Sequence, residues 1–206
     1  MIKALILDYG NVISKPGIED SAAVMEKETG IPASIFKNVY SSRREGFDRG
    51  TLSGEDMYRF LLEDYGYHKE AQDAALLAQL VRIDLAHWRP LEEAVCTWAI
   101  SVRQEGFKLG ILSNMPTQFL DLYEKEIPPF CAADYCCFSC RVKLIKPEPA
   151  IYHACLEGLR VAPGEAVFFD DLAENITAAR DVGLHAFVWE GLEKAKQDWQ
   201  ACLARG

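Results

Sequence analysis

Apolar residues recur along the chain in short continuous runs, each about as long as a β-strand. The five runs are ALILD (4–8), KLGILSN (108–114), DYCCFS (134–139), AVFFDD (166–171) and HAFVWE (185–190). They are mostly continuous rather than alternating, which is typical of strands buried on both faces of a parallel sheet. The pattern therefore predicts a five-stranded parallel sheet.

Segments with helical periodicity lie before, between and after the last four runs. They are LEEAVCTWAISVRQEG (91–106), PEPAIYHACLEGL (147–159), AENITAARDVG (173–183) and LEKAKQDWQACLARG (192–206). Prolines precede or begin two of these segments, and Gly106 and Gly183 follow two others, as expected at helix starts and stops. Strand and helix thus alternate over residues 90–206, which predicts an α/β fold with a doubly wound, Rossmann-like sheet.

The stretch between the first two runs differs, because it shows helical patterns and no clear strand. The helical segments are DSAAVMEKETG (20–30), PASIFKNVYSSRREG (32–46), SGEDMYRFLLEDYG (53–66) and AQDAALLAQLVRIDLAHW (71–88). We expect a catalytic core formed by residues 1–14 and 89–206, with residues 15–88 inserted as an α-helical cap. Gly17 and Pro90 lie near the two crossings between core and cap, where we expect hinges.

The composition limits the classes of function. Half of the 206 residues are apolar and 26% are charged, as in ordinary globular proteins, and the formal net charge is −9. Such an acidic balance argues against a nucleic-acid partner. No apolar run approaches the ~20 residues needed to cross a bilayer, and Asp8 interrupts the first run, so neither a membrane segment nor a secretory signal is predicted. We expect a cytoplasmic monomer or homodimer.

The cysteines form no evident metal site. There are seven, an odd number, which suggests reduced thiols. Cys137 and Cys140 form a C-x-x-C motif with Cys136 beside them, but a second ligand pair at zinc spacing is not evident. The surrounding run reads as a buried strand, in which cysteine behaves as a small apolar residue. We interpret these cysteines as structural.

Polar residues stand where three of the predicted strands end, and one stands just before a helix. They are Asp8, Ser113, Asn114, Asp170 and Asp171 at the strand ends, and Lys146 before the helix. Ligands of open parallel sheets bind at the carboxyl ends of the strands, so these groups are expected to meet at one edge. Three converging carboxylates would repel one another, and a divalent cation removes that difficulty. Ligands that are all oxygen favour Mg²⁺.

Four short motifs then carry a resemblance to a known family. LILDYGNVI, ILSN, IKPE and VFFDDLAEN resemble, in order and spacing, the motifs of the haloacid dehalogenase-like (HAD) superfamily of hydrolases. The resemblance covers essentially the whole chain, and the helical insertion is similar to the small α-helical cap of that family. DYGNVI is also similar to the first motif of a bacterial subgroup that resembles α-D-glucose-1-phosphate phosphatases.

The resemblance implies a phosphatase mechanism. Asp8 would attack phosphorus and form an aspartyl-phosphate that water hydrolyses. Ser113 and Asn114 would hydrogen-bond the phosphoryl oxygens, and Lys146 would offset the charge on nucleophile and phosphate. Positioning and charge neutralisation supply most of the catalysis of phosphoryl transfer.

The resemblance also implies a metal site. Asp8, the backbone carbonyl of Gly10 and Asp171 would hold Mg²⁺, with Asp170 beside them or just behind. The substrate would be a small phosphorylated metabolite, such as a sugar phosphate.

Gly10 departs from the family pattern. Phosphatases of the family usually carry an aspartate at this position, which protonates the leaving group and then activates water. General acid–base help is typically worth ~10²–10⁴-fold, so a glycine here predicts a slow enzyme, a substitute residue or a good leaving group. Three alternatives to hydrolysis of phosphomonoesters stay open: a 2-haloacid dehalogenase, a phosphotransferring mutase, and a protein that binds a ligand or partner without chemistry.

Three arginines in the inserted stretch have two possible roles. Arg43, Arg44 and Arg49 in SSRREGFDRG could contact an anionic or polyhydroxyl substrate, or they could form a solvated helix face.

Overall fold

The computed structural model describes residues 1–15, 20–39 and 43–205. Within them, five parallel strands form one sheet in the order β3-β2-β1-β4-β5. The strands are β1 (Ala4–Leu7), β2 (Lys108–Ser113), β3 (Tyr135–Phe138), β4 (Ala166–Asp170) and β5 (His185–Val188). The five predicted strands are confirmed. Each is one or two residues shorter than predicted.

The central strand β1 explains why the sheet is built from continuous apolar runs. Its four side chains are fully buried, and it pairs with β2 on one side and β4 on the other. Leu5 and Leu7 face one layer of helices, whereas Ala4 and Ile6 face the other. Both faces are therefore covered, as in a doubly wound sheet.

Residues 93–204, all of which the structure describes, contain seven α-helices. They are α6 (Glu93–Gln104), α7 (Thr117–Tyr123), α8 (Pro128–Ala132), α9 (Ser139–Val142), α10 (Pro149–Leu159), α11 (Ala173–Asp181) and α12 (Leu192–Ala204). The four predicted helices of this region correspond to α6, α10, α11 and α12. The short helices α7, α8 and α9 were not predicted, since four to seven residues show too little periodicity.

Between β1 and α6, the elements that the structure describes are helices and one isolated bridge at Ser14. We call the described residues 20–39 and 43–87 the helical insertion. It contains α1 (Ser21–Thr29), α2 (Ala33–Lys37), α3 (Arg44–Asp48), α4 (Gly54–Asp64) and α5 (Ala74–His87).

One helix predicted in this insertion is wrong, because the structure divides it into separate helices. The segment 32–46 was predicted as one helix, but α2 ends at Lys37 and α3 begins only at Arg44. Asn38 favours a turn over a helix interior, because its side chain competes for backbone hydrogen bonds. Residues 40–42 of this segment lie outside the described residues.

The two connections between the insertion and the sheet run side by side. Ser14 and Leu91 form an isolated antiparallel bridge. Lys15 N donates to Pro90 O at 3.0 Å, and Glu92 N donates to Ile13 O at 2.9 Å. Pro90 thus lies at a paired crossing, where a hinge stays a prediction. The other predicted hinge residue, Gly17, lies outside the described residues.

The remaining observations concern cysteines and membranes. All seven cysteines are free thiols, and Cys137 and Cys140 are buried on β3 and α9. The structural interpretation of the C-x-x-C motif stays a prediction. None of the described helices combines the length and the apolarity that a bilayer crossing requires.

Candidate active site

Three carboxylates meet where β1 and β4 end. Leu7 pairs with Phe169 in the sheet, so the next residues, Asp8 and Asp170, leave neighbouring strands at the same level. Asp8 N continues the ladder by donating to Phe169 O at 3.0 Å. One oxygen from each of Asp8, Asp170 and Asp171 lies within 4.8 Å of the other two. The structure therefore brings together the three acidic residues that the sequence placed at this edge.

Lys146 lies between two of these carboxylates. Its Nζ donates to Asp170 Oδ2 at 2.6 Å and lies 2.8 Å from Asp8 Oδ1. The ammonium is almost fully buried, so little water screens these contacts. Asn114 fixes the backbone of Lys146 from both sides: Lys146 N donates to Asn114 Oδ1 at 2.8 Å, and Asn114 Nδ2 donates to Lys146 O at 3.1 Å.

The predicted phosphate contacts lie beside this ion pair. Ser113 is buried at the end of β2, and both Ser113 and Asn114 line the cavity described below. The side-chain amide of Asn114 holds the Lys146 loop, which is a role that the sequence did not predict.

Asp170 and Asp171 occupy different positions. Asp170 is fully buried, and its two oxygens accept hydrogen bonds from Leu172 N, from the amide of Asn175 and from Lys146. Asp171 instead lines the cavity and accepts from Asn11 Nδ2 at 2.8 Å. Asp170 therefore orients Lys146, whereas Asp171 presents its carboxylate to the cavity.

Burial and mutual repulsion control the ionisation of these groups. Burial raises the pKa of Asp8, and the Lys146 ammonium opposes that rise. Burial also raises the pKa of Asp171, although the Asn11 hydrogen bond acts against it. For Lys146, burial lowers the pKa, but the carboxylates of Asp8 and Asp170 outweigh this effect and raise it. When all three carboxyls are ionised, one ammonium leaves two negative charges uncompensated.

The residues present fit a divalent cation. Asp8 Oδ1 is buried and lies 2.8 Å from the Lys146 ammonium, which Asp170 also binds, so three converging carboxylates share this one cation. A divalent cation would balance the negative charge that remains. The neighbouring donors are carboxylate oxygens, which are the ligands that Mg²⁺ prefers.

A cavity of about 320 Å³ opens above these carboxylates. Residues from the sheet edge form its floor, and residues from the helical insertion and its connection to the core form part of its wall. The wall residues from the insertion side are Arg44, Asp48, Leu85 and Trp88. The cavity is therefore lined by chain segments far apart in sequence.

Trp88 covers Gly10 within this cavity. A Cβ atom added at Gly10 would lie 3.4 Å from Trp88 Cζ3, an ordinary van der Waals contact. Tyr9 Oη donates to Trp88 O at 2.7 Å, which fixes the tryptophan backbone against the first loop. The position that usually carries an acid–base aspartate thus faces an indole ring.

Sequence reasoning missed Asn11 as a site residue. Its φ of +56° lies in the left-handed region, which asparagine tolerates better than most residues. This conformation places its amide against Asp171. An asparagine directly after glycine in a turn was the available indication of such a conformation.

The three predicted arginines have three different environments. Arg43 pairs with Asp64 at 2.7 Å, and Arg49 binds Glu148. Of the three, Arg44 lines the cavity.

Taken together, the sheet topology, the strand-end carboxylates with their lysine, and the helical insertion define a hydrolase of the HAD-like class. A family model, described as haloacid dehalogenase-like hydrolase, matches residues 2–183. The chain belongs to this family, and it is an HAD-like enzyme with relatives named as phosphatases.

Two relatives illustrate the range of similarity. Phosphatase MT3486 from Mycobacterium tuberculosis is 32% identical over 205 residues, which cover 91% of this chain and 87% of that protein. Bifunctional epoxide hydrolase 2 from Mus musculus is 25% identical over 197 residues, which cover 89% of this chain and 35% of that protein. The chain thus spans about a third of the length of this relative.

The solved structures share the fold. The HAD family enzyme BT-2542 from Bacteroides thetaiotaomicron superimposes with a TM-score of 0.77 at 18% identity, covering 95% of this chain and 98% of that one. BT-2542 has also been solved in complex with magnesium and inorganic phosphate. Solved dehalogenases share the fold as well, with a TM-score of 0.66. The fold alone therefore does not choose between these reactions.

Proposed function

We propose that this chain is a Mg²⁺-dependent phosphomonoester hydrolase that acts on small phosphorylated metabolites, such as sugar phosphates, through an aspartyl-phosphate. The observation that carries the proposal is the cluster of Asp8, Asp170 and Asp171 oxygens within 4.8 Å of one another. A dehalogenase needs no metal at its aspartate, so a convergence of three carboxylates around one ammonium favours phosphoryl chemistry. The relative named Phosphatase MT3486 supports the same direction.

The metal would be held by residues that face the cavity. We assign the carboxylates of Asp8 and Asp171 and the backbone carbonyl of Gly10 to it. Asp170 would lie behind these ligands and act through its hydrogen bond with Lys146. Bound Mg²⁺ would neutralise charge on the carboxylates and on the phosphoryl oxygens. The complex of BT-2542 with magnesium and inorganic phosphate is the precedent on the same fold.

The protein groups divide the remaining work. An Asp8 oxygen forms a bond to phosphorus as the bond between phosphorus and the leaving oxygen breaks, and water later cleaves the aspartyl-phosphate. Lys146 offers a preorganised positive charge, since Asp170 and Asn114 hold its side chain and backbone. Ser113 and Asn114 would hydrogen-bond the phosphoryl group at the end of β2.

We propose in addition that the helical insertion acts as a cap over this edge. Its residues Arg44, Asp48, Leu85 and neighbouring Trp88 line the cavity. A cavity of about 320 Å³ suits a small metabolite, and a covered site would keep bulk water away from the acyl phosphate. Cap residues would then select the substrate.

The test is phosphate release from a panel of phosphomonoesters with Mg²⁺ or EDTA. Mg²⁺-dependent release that is lost in Asp8→Asn supports the proposal. Asp121→Asn, an exposed carboxyl on α7, is the matched control and should release phosphate at the wild-type rate. Equal background release by wild type and Asp8→Asn would refute it, and chloride release from 2-chloropropionate in EDTA would replace it with dehalogenation.

One observation favours a second candidate, a binding protein without turnover. Gly10 supplies no acid–base group, and Trp88 covers its Cα side. This candidate expects Mg²⁺ and inorganic phosphate to bind in a calorimeter while every phosphomonoester stays uncleaved.

A further inference from the structure

The site as described has no proton donor at the usual position. Gly10 has no side chain, and the Trp88 ring contacts the space that one would enter. An alkoxide is a poor leaving group, so hydrolysis of a sugar or alkyl phosphate needs a proton at the departing oxygen. The question is which other group in the cavity can carry that proton.

The titratable residues that line the cavity leave one candidate. Besides the permanently charged Arg44, they are Asp8, Tyr9, Asp48, Lys146 and Asp171. Asp8 is the proposed nucleophile, and Asp171 is a proposed metal ligand. Lys146 is held between two carboxylates, and the Tyr9 hydroxyl donates to Trp88 O. Among the described residues, the Asp48 carboxyl remains.

Hydrogen bonds place Asp48 against the catalytic edge, although it belongs to α3 of the helical insertion. Its backbone oxygen accepts from Ser139 Oγ at 2.6 Å. The same Oγ accepts from Met115 N at 2.8 Å, and Met115 directly follows the Ser113-Asn114 pair. This buried chain of two hydrogen bonds fixes Asp48 beside the end of β2.

The surroundings of Asp48 favour exchange of a proton. Arg44 Nε donates to Asp48 Oδ1 at 2.8 Å, and Arg44 Nη1 donates to Asp84 Oδ2 at 3.0 Å. Two carboxyls therefore bind the same guanidinium, and protonation of one of them would lower the repulsion between them.

The charged groups that face Asp48 are Arg44, Asp84 and Lys146. Burial raises the pKa of Asp48 to about 6, with Arg44 lowering it, Asp84 raising it and Lys146 lowering it. A general acid–base works best with a pKa near the operating pH, so both protonation states are accessible to this carboxyl. Of the two carboxyl residues, Asp48 lines the cavity and Asp84 does not.

We propose that Asp48 is the general acid–base of this chain and takes the role that an aspartate at position 10 has in related phosphatases. In the first step its carboxyl proton passes to the leaving-group oxygen, as that oxygen's bond to phosphorus breaks and the bond from Asp8 forms. In the second step the Asp48 carboxylate takes a proton from water, as the water oxygen binds phosphorus and the bond to Asp8 breaks. The proposal rests on the phosphatase function proposed above.

The test compares leaving groups. In Asp48→Asn, kcat/KM for an alkyl or sugar phosphate should fall by about 10²–10⁴-fold, the usual contribution of general acid–base catalysis. For p-nitrophenyl phosphate, whose nitrophenolate leaves without a proton, we expect a loss below about tenfold. The matched control is Asp84→Asn, which removes the other partner of Arg44 and should change the two substrates equally.

The pH profile gives a second readout that a purely structural role would not move. For wild type, kcat/KM is measured for an alkyl phosphate and for p-nitrophenyl phosphate, and both values are calculated from the concentration of the substrate dianion. The ratio of the alkyl value to the p-nitrophenyl value should fall as pH rises through about 6. The shared nucleophile and metal cancel in this ratio. Asp48→Asn should flatten it, and Asp48→Glu should restore part of the alkyl activity.

Several results would overturn the proposal. Equal losses on both substrates in Asp48→Asn, or a wild-type ratio that is independent of pH, would exclude Asp48 as the acid. If Asp48→Asn does not fold, the wild-type ratio still decides. A ¹³C NMR titration of the Asp48 carboxyl in metal-free protein needs no activity, and a pKa near 4 would also exclude it. Absence of turnover by wild type on both substrates would instead refute the phosphatase function itself.

Discussion

Arg49 in the helical insertion and Glu148 in the Lys146 loop form a two-point ion pair across 99 positions of sequence. Arg49 Nη2 lies 2.7 Å from Glu148 Oε1, and Nη1 lies 3.1 Å from Oε2. Glu148 Oε2 also accepts from Ile145 N at 3.1 Å, one residue before Lys146. This contact between the insertion and the core therefore also fixes the loop that carries Lys146, the cation to which we assign a catalytic role.

The first prediction concerns this pair. Glu148→Gln should lower kcat/KM about fivefold or less while changing the free energy of unfolding by less than about 1 kcal/mol, because both side chains are partly exposed. Steady-state kinetics and urea unfolding measure the two effects, and hydrogen exchange at residues 44–50 should increase.

The control for this prediction is an ion pair remote from the cavity. Lys194 donates to Asp198 at 2.6 Å on α12, so Asp198→Asn should leave kcat/KM and exchange at residues 44–50 unchanged. If the two variants behave alike, the Arg49–Glu148 pair has no part in closing the site.

The second prediction concerns Lys146. Lys146→Met leaves Asp8 and Asp170 buried without their cation, and breaking a buried pair in this way costs about 3–5 kcal/mol. The loss should be largest at pH 8 and smaller near pH 4. A buried carboxyl with a raised pKa destabilises the fold only once the pH is high enough to ionise it.

Urea unfolding in EDTA at the two pH values checks this. Lys196→Met is the control, because that exposed side chain pairs with Glu193 at the surface and should cost little. An equal loss for Lys146→Met at pH 4 and pH 8 would show that packing, rather than charge, explains the effect.

Much of the catalytic edge could be predicted from the sequence because each element there is local. A continuous apolar run predicts a buried strand, and the polar residue that ends it must lie at the sheet edge. The positions of Asp8 and Asp170 at the sheet edge could therefore be predicted from the apolar runs that form β1 and β4 alone. Their proximity needed only the rule that parallel strands end together.

The wall of the cavity could not be predicted in this way. In the sequence, Asp48 and Asp84 look like ordinary exposed acidic residues of helices. In the structure they are buried, because Arg44 lies between them and pairs with both. Ser139 binds Asp48 from 91 positions away. Such contacts depend on how α3 packs on the sheet, and the five residues of α3 carry no periodicity that fixes its orientation.

The third prediction concerns the metal. If Asp171 is a ligand, Mg²⁺ should raise the melting temperature of wild type. A ligand that binds only the native state increases the free energy of unfolding, by about 2.7 kcal/mol when its concentration is 100 times Kd. Asp171→Asn should abolish the rise, and Asn11→Ala should reduce it, because Asn11 orients the Asp171 carboxylate. Thermal unfolding with and without Mg²⁺ measures this. Asp181→Asn, exposed at the end of α11, should keep the full rise, and a full rise in Asp171→Asn would remove that residue from the metal site.

The fourth prediction concerns pH and stability at Asp48. Its folded pKa of about 6 exceeds the value of ~3.9 for an unfolded aspartate, so it stabilises the fold below pH 4 and loses that contribution as pH rises through about 6. The stability of wild type relative to Asp48→Asn should therefore decline by about 2–3 kcal/mol between pH 4 and pH 7. Urea unfolding at four pH values in EDTA measures the decline. A difference that stays constant or grows with pH would contradict the raised pKa, and Asp121→Asn should show no such slope.

The fifth prediction separates two glycines by what a methyl group would meet. At Gly10 the new Cβ would touch Trp88 Cζ3 at 3.4 Å, which is ordinary contact, whereas at Gly110 on β2 it would lie 2.7 Å from Leu159 Cδ1. Gly10→Ala should therefore keep the stability within about 1 kcal/mol of wild type, and Gly110→Ala should lose about 1–3 kcal/mol through overpacking. Gly10→Ala should also keep its alkyl phosphate kcat/KM within about threefold, since residue 10 transfers no proton if Asp48 does. Urea unfolding and steady-state kinetics measure both variants. A stable Gly10→Ala protein whose alkyl activity falls a hundredfold would mean that the added methyl group disturbs the backbone carbonyl that we assign to the metal.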